Sequence, residues 1–107
     1  ELHVLHAHGS RLHLGPLLEY PVHALSWADR EGGPALAEAR RRTSLALMGG
    51  LAHTPFAYSS AAVVRAQVRE AVAAAGRERL FLAPGCALST YAFPELIRAA
   101  RDEARRA

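Results

Sequence analysis

The stretch Leu80-Phe81-Leu82-Ala83-Pro84-Gly85-Cys86 (residues 80–86) is an apolar run that stops at two turn residues. Uninterrupted apolar runs are typical of parallel strands, because other layers of the protein cover both of their faces. A helical pattern then begins at Pro94 and continues to about Arg106. A strand followed by a turn and a helix indicates one βα unit.

Three more units of the same kind precede this one. Each unit starts with a short apolar run. Turn residues follow the run, and a helical pattern follows the turn. The runs cover Leu2–His8, Val22–Trp27 and Ser44–Met48, and the third is expected to break at Gly49 and Gly50. The patterns predict helices around Pro16–Tyr20, over Pro34–Arg42 and from Ser59 or Ser60 to Gly76. The chain is therefore predicted to be an α/β protein with four parallel βα units.

Four such units are half of a (β/α)8 barrel, so we expect residues 1–107 to be a single partial domain. An open sheet of four strands leaves two edges and one face that need cover. We therefore expect the chain to be a fragment, or to pair with a second copy or with a missing N-terminal half. Its start at Glu1, without Met, agrees with truncation. A small, complete, doubly wound domain is the alternative.

The composition excludes several classes of protein. Half of the 107 residues are hydrophobic and 21% are charged, which excludes a disordered tail and a collagen-like repeat. No apolar stretch reaches the roughly 18 residues of a membrane span, and no targeting leader opens the chain. We expect a soluble, cytoplasmic protein without membrane contact. The basic residues are all arginine and alternate with acids, as at Glu38 and Arg42, which argues against nucleic acid as a partner.

Three side chains with metal-binding chemistry stand at strand ends. His6 and His8 are two residues apart, so a strand turns both imidazoles to the same side. Cys86, which has no second cysteine for an internal disulfide, follows the fourth strand. The carboxyl ends of barrel strands all open on one face. Because two imidazoles and a thiol are ligands that zinc prefers, we predict a zinc site formed by His6, His8 and Cys86.

Each of these residues also has an ordinary interpretation. A single histidine at a strand end more often forms hydrogen bonds or takes part in catalysis than binds a metal. A single cysteine is usually a small buried hydrophobic side chain. Cys86, however, lies in Pro84-Gly85-Cys86, beyond the apolar run, and this position favours a function.

The same segments resemble the superfamily that joins uroporphyrinogen decarboxylases to corrinoid-dependent, zinc-containing methyltransferases. The segment Leu2-His3-Val4-Leu5-His6-Ala7-His8-Gly9-Ser10 (residues 2–10) is similar to the family's strand that ends in His-x-Cys-Gly, with His8 in the place of the cysteine. Residues 22–29 resemble the next strand, and residues 45–51 resemble the strand that usually carries Gln-Gly-Asn-Leu. Gly50 replaces the Asn, and Ala52 stands where an Asp is common. The resemblance covers nearly the whole chain and implies the C-terminal half of a TIM (β/α)8 barrel.

The segment Pro84-Gly85-Cys86 distinguishes the two branches of this superfamily. Decarboxylases generally have Gly-His-Gly here, whereas methyltransferases have Gly-Cys, with the cysteine as a zinc ligand. The resemblance thus implies a zinc-dependent methyltransferase that activates a thiol acceptor for methyl transfer from a corrinoid. Zinc with three protein ligands keeps a fourth position open, where a substrate thiol would bind as a thiolate.

Two other functions stay open. One is uroporphyrinogen decarboxylation, which removes acetate carboxyl groups from a tetrapyrrole without a metal. Arg11 and His13 are candidates for binding the substrate or cofactor, and His53, just after the two glycines, is the candidate catalytic residue. All three residues could instead be parts of solvated loops. The other function is that of a non-catalytic half-barrel that serves as an assembly module, which the missing Asn and Asp support.

Overall fold

The computed structural model describes residues 1–107 and shows strands and helices in alternation. The strands are β1 (Val4–His6), β2 (Ala24–Ser26), β3 (Ala46–Leu51) and β4 (Leu80–Pro84). The helices are α1 (Leu14–Leu17), α2 (Leu36–Arg42), α3 (Ala61–Ala75) and α4 (Pro94–Arg106), and a 3-10 turn covers Phe56–Tyr58. The α/β class and the four predicted βα units are confirmed. No helix combines the length and the apolar character that crossing a membrane requires.

The strands form one parallel sheet in the order β1-β2-β3-β4. Leu5, Leu25 and Leu47 lie side by side in the first three strands. A doubly wound sheet changes direction in its strand order at a switch point, and this sheet has no such point. Right-handed crossovers between strands that are neighbours in both sequence and space place all the helices on one face.

The core lies between that face and the helices. Leu25 and Leu47 are fully buried there and form one cluster with Leu36 of α2 and Ala71 of α3. A second cluster joins the end of β3 to α3 and α4, and its buried members are Leu51, Phe56, Val64, Val68, Leu96 and Ala100. Val63 of α3 lies outside both clusters and is 47% exposed.

The opposite face of the sheet has no helix against it. Because side chains alternate along a strand, this face carries the row His6, Ser26, Met48 and Phe81, which are partners in adjacent strands. Phe81 is 45% exposed, and Val4 on the same face is 42% exposed. The uncovered face and the free edges of β1 and β4 are the surfaces that the sequence predicts to need cover.

Arg40 forms hydrogen bonds at the C-terminal ends of α2 and α3 and to the residues just before β3 and β4. Its guanidinium donates hydrogen bonds to four backbone carbonyls, those of Ala75 (3.1 Å), Thr43 (3.4 Å), Leu45 (2.9 Å) and Arg79 (2.9 Å). Carbonyls at the end of a helix have no partner within the helix, so an arginine placed there supplies the missing donor.

The predicted break in β3 is wrong. The strand continues through Gly49 and Gly50 to Leu51. The two glycines permit close packing: a Cβ atom at Gly49 would lie 2.5 Å from Oδ1 of Asp29, and one at Gly50 would lie 2.7 Å from Cβ of Ala71. Gly50 also has a φ of +100°, which side chains disfavour.

The predicted ends of α3 and α4 are confirmed, whereas α1 spans Leu14–Leu17 and not Pro16–Tyr20. Ser60 caps α3 with its side chain, Gly76 ends that helix with a φ of +79°, and Pro94 is the first residue of α4. In contrast, α2 begins at Leu36, so Pro34 precedes the helix and does not begin it.

Candidate functional site

A cavity of about 400 Å³ opens at the carboxyl ends of β1, β2 and β3. The residues that line it directly follow these three strands, and all but one are polar or glycine: His8, Gly9, Ser10, Ala28, Glu31, Gly32 and His53. In parallel α/β proteins this end of the sheet is where ligands bind. The cavity is therefore the candidate functional site.

Two glycines bring the surrounding loops close together. A Cβ atom at Gly32 would lie 2.8 Å from the carbonyl oxygen of Gly9, so the loops after β1 and β2 are in direct contact. A Cβ atom at Gly85 would lie 2.5 Å from Cα of Ala28 and 3.3 Å from Nδ1 of His53. The loop after β4, which carries Cys86, thus packs beside the cavity.

Glu31 and His53 form the polar centre of the site. Oε2 of Glu31 lies 2.8 Å from Nδ1 of His53. The same carboxylate accepts two hydrogen bonds from Thr54, one from its backbone N–H to Oε1 (3.1 Å) and one from its hydroxyl to Oε2 (3.0 Å). Three contacts hold the carboxylate in one orientation next to the ring.

The pKa of Glu31 is lowered from its ordinary value. Burial acts to raise it, but the hydrogen bonds from Thr54 and the neighbouring His53 ring outweigh that effect. A carboxylate that accepts several hydrogen bonds is stabilised in its charged form. Glu31 is therefore a fixed negative charge at neutral pH.

The imidazole of His53 has one buried and one available nitrogen. Nδ1 is buried, and its contact with Glu31 is close enough for an ion pair but is not aligned as a hydrogen bond. No other polar atom bonds to Nδ1. Since His53 lines the cavity, Nε2 is the nitrogen that a bound molecule can reach.

The predicted zinc ligands occupy the same end of the sheet but are not gathered around one point. His6 is exposed, and its Nδ1 lies 3.0 Å from Oγ of Ser26. His8 lines the cavity, and Cys86 is half-buried beyond Gly85. No three His, Cys, Asp or Glu side chains lie close enough together to hold a metal ion.

The other predicted site residues divide into two groups. His53, the predicted catalytic residue, lines the cavity. Arg11 and His13 are exposed and do not line it. Sequence reasoning missed Glu31, although the position of its loop directly after β2 was an available signal. Asp29 in the same loop has a structural role, because its Oδ1 accepts a hydrogen bond from the backbone N–H of Gly50 (2.9 Å).

Comparison of the sequence with protein-family models and with curated proteins finds no match in either set.

Proposed function

We infer that this chain is the C-terminal half of a (β/α)8 barrel related to the uroporphyrinogen decarboxylase and corrinoid methyltransferase superfamily, and that the cavity is its part of the active site. The observation that carries the proposal is the sequential strand order with the helices on one face. Half of a barrel has this arrangement, and its second face is the barrel interior. The open face with Phe81 and Val4 fits that role.

The surface beside the free edge of β4 also supports a partner that extends the sheet. A groove of about 550 Å³ lies between β4 and α4, with Leu82 and Ile97 among its apolar lining residues. Arg77 and Arg105 also line it, and neither forms an ion pair. A further βα unit seated there would bury the apolar surface and could bring acidic side chains to the two arginines. The proposed partner is the missing N-terminal half or a second copy of the chain.

Sedimentation of the chain at rising concentration tests this part of the proposal. If the partner is a second copy of the chain, the chain should form a dimer. If the partner is an N-terminal half, the chain should form a 1:1 complex with a separately produced polypeptide of four βα units. Phe81→Glu should prevent either association, whereas Tyr58→Glu, at a residue that is 91% exposed and outside the sheet, should not. A stable, compact monomer that binds neither partner would contradict the half-barrel.

The activity that we propose is zinc-dependent transfer of a methyl group from a corrinoid to a thiol. Its support is the type and position of three side chains: His6, His8 and Cys86 all lie at or beyond the carboxyl ends of strands. Their donor atoms are those that zinc prefers. Zinc would supply a thiolate from the bound thiol at neutral pH. In this chain alone, the three side chains are not close enough together to hold an ion. Zinc binding would therefore require them to move closer together when the barrel is completed.

Metal analysis of the assembled protein tests the zinc site on which the proposed activity depends. We expect about one zinc ion per complete barrel, and its loss in Cys86→Ala and His6→Ala. His3→Ala is the matched control, because His3 is exposed before β1 begins and should leave the zinc content unchanged. Full zinc content in Cys86→Ala would refute the ligand set.

A second candidate is the decarboxylation of a tetrapyrrole, which the Glu31 and His53 pair favours. This pair can hold and move a proton without a metal, as protonation of a carbon after loss of carbon dioxide requires. Turnover of a porphyrinogen by the assembled protein, with normal activity in Cys86→Ala, would select this candidate. An assembled barrel that neither binds zinc nor turns over a porphyrinogen would be an assembly module without catalytic function.

A further inference from the structure

We propose that Nε2 of His53 removes the proton from the substrate thiol, and that Glu31 is the positioning residue that keeps this nitrogen free to do so. The inference rests on the proposed function, because the thiol is the acceptor named there. It assigns to the cavity a pair of residues that the resemblance to the superfamily does not supply.

The geometry determines which nitrogen accepts the proton. A neutral imidazole carries its hydrogen on one nitrogen and a lone pair on the other. The Glu31 carboxylate, 2.8 Å from Nδ1, favours the tautomer with the hydrogen on Nδ1. The lone pair is then on Nε2, the nitrogen that a molecule in the cavity can reach. Catalytic hydrogen bonds are often poorly aligned until substrate binds, and the contact at Nδ1 has this character.

The step itself moves one proton. The S–H bond of the thiol breaks and an N–H bond forms at Nε2, which leaves a thiolate and an imidazolium. The thiolate keeps the electron pair of the broken S–H bond. As it forms a bond to the methyl carbon, the bond between that carbon and the corrinoid donor would break, and its electron pair would stay on the donor. Glu31 compensates the positive charge on the ring, since hydrogen bonds from Thr54 keep its carboxylate in place and ionised. This is the division of work between a general base and the carboxylate that orients it.

Glu31→Gln is a sharp test because Thr54 dictates how the new amide must lie. The backbone N–H of Thr54 donates to Oε1 of Glu31, so the glutamine oxygen should take that place. The NH₂ group then faces His53 and donates to Nδ1. A hydrogen bond received at Nδ1 moves the ring hydrogen to Nε2, which removes the base from the cavity.

The ring nitrogens of the ¹⁵N-histidine-labelled protein report the tautomer directly by NMR. We expect hydrogen on Nδ1 of His53 in the wild type and on Nε2 in Glu31→Gln, with the resonances of His3 unchanged. Glu31→Ala is the second variant. Without the carboxylate, the tautomer of His53 with hydrogen on Nδ1 should be less populated than in the wild type. A wild-type ring with hydrogen on Nε2, or a tautomer that neither variant alters, would overturn the proposal.

The rate of the assembled protein separates this inference from the proposed function. Glu31→Gln and His53→Ala should each reduce methyl transfer about 10²- to 10⁴-fold, and His3→Ala should not reduce it. If the tautomer changes as expected but the wild type transfers no methyl group, the proposed activity fails and the pairing of Glu31 with His53 stands. Full activity in His53→Ala would overturn its role as base.

Discussion

Gly85 lies against Ala28 so closely that a Cβ atom at position 85 would be 2.5 Å from Cα and 2.9 Å from Cβ of Ala28. Neither of these atoms is the end of a flexible side chain, so a larger residue would force one backbone segment to move. The contact joins the loop after β4 to the loop after β2 and passes over the end of β3. It therefore sets the position of Cys86 relative to the cavity.

Gly85→Ala should lower the free energy of unfolding by about 1–3 kcal/mol, because overpacking of a buried contact costs this much. Urea unfolding measures the change. Gly15→Ala is the matched control: its new Cβ would meet only the flexible Nη2 of Arg42, at 3.4 Å. Apart from its chain neighbours and the backbone of its own helix, this Cβ meets no backbone atom, so Gly15→Ala should lose less stability than Gly85→Ala. Equal stability of the two variants would contradict the close contact at Gly85.

Arg40→Met should lower the free energy of unfolding by about 2–4 kcal/mol, since four backbone carbonyls lose a charged donor. Methionine keeps the apolar part of the side chain, so the loss reports the guanidinium. Arg41→Met is the control, because Arg41 is exposed and forms no hydrogen bond or ion pair; its change should stay within about 0.5 kcal/mol. Thermal melts of both variants would show the difference, and similar melts would refute the role of Arg40.

The α/β class and the four parallel βα units could be predicted from the sequence, because local signals agreed with them at most positions. Apolar runs such as Leu80–Pro84 and caps such as Ser60 act within a few residues, so they are visible in the sequence. The predicted break at Gly49 and Gly50 is wrong for a physical reason. Their need for a missing Cβ comes from Asp29 and Ala71, which approach only in the folded chain.

The candidate site could be predicted only in part. The position of His53 after a strand was enough to place it at the carboxyl edge of the sheet. Its pairing with Glu31 depends on the path of the loop after β2, and the residues are 22 positions apart in sequence. Strand alternation predicts a common side for His6 and His8, but β1 ends at His6, so His8 lies beyond the strand. The pattern also does not say how far Cys86 lies from them across four strands.

Ser60→Ala should lower the free energy of unfolding by about 1 kcal/mol, the usual cost of losing an N-cap. The hydroxyl of Ser60 accepts a hydrogen bond from the backbone N–H of Val63 (3.2 Å), and α3 contributes to both clusters of the core. Ser60→Asp keeps an acceptor oxygen at the cap and should retain the stability of the wild type. Chemical denaturation distinguishes the two, and an equal loss in both variants would show that the cap is not the cause.

Asp29→Asn should stabilise the protein at neutral pH. Burial is the largest influence on this carboxyl and raises its pKa, against the opposing effects of the Gly50 hydrogen bond and the Arg30 charge. The folded chain therefore binds the proton more tightly than the unfolded chain, whose aspartates titrate near pH 3.9. As the pH rises from that value through the raised pKa, wild-type stability falls. Asparagine offers Gly50 an oxygen acceptor without the buried charge.

Urea unfolding at a series of pH values measures the sign and the size of the stability difference between Asp29→Asn and the wild type. Asp29→Asn should exceed the wild type in stability above the raised pKa, and the gap should close as the pH falls below about 4. Asp102 provides a control of opposite sign: its hydrogen bond from Arg101 lowers the pKa of an exposed carboxyl. Asp102→Asn should therefore be slightly less stable than the wild type at neutral pH, with a gap that also closes in acid. If Asp29→Asn behaved like Asp102→Asn, burial would not be the force that acts on Asp29.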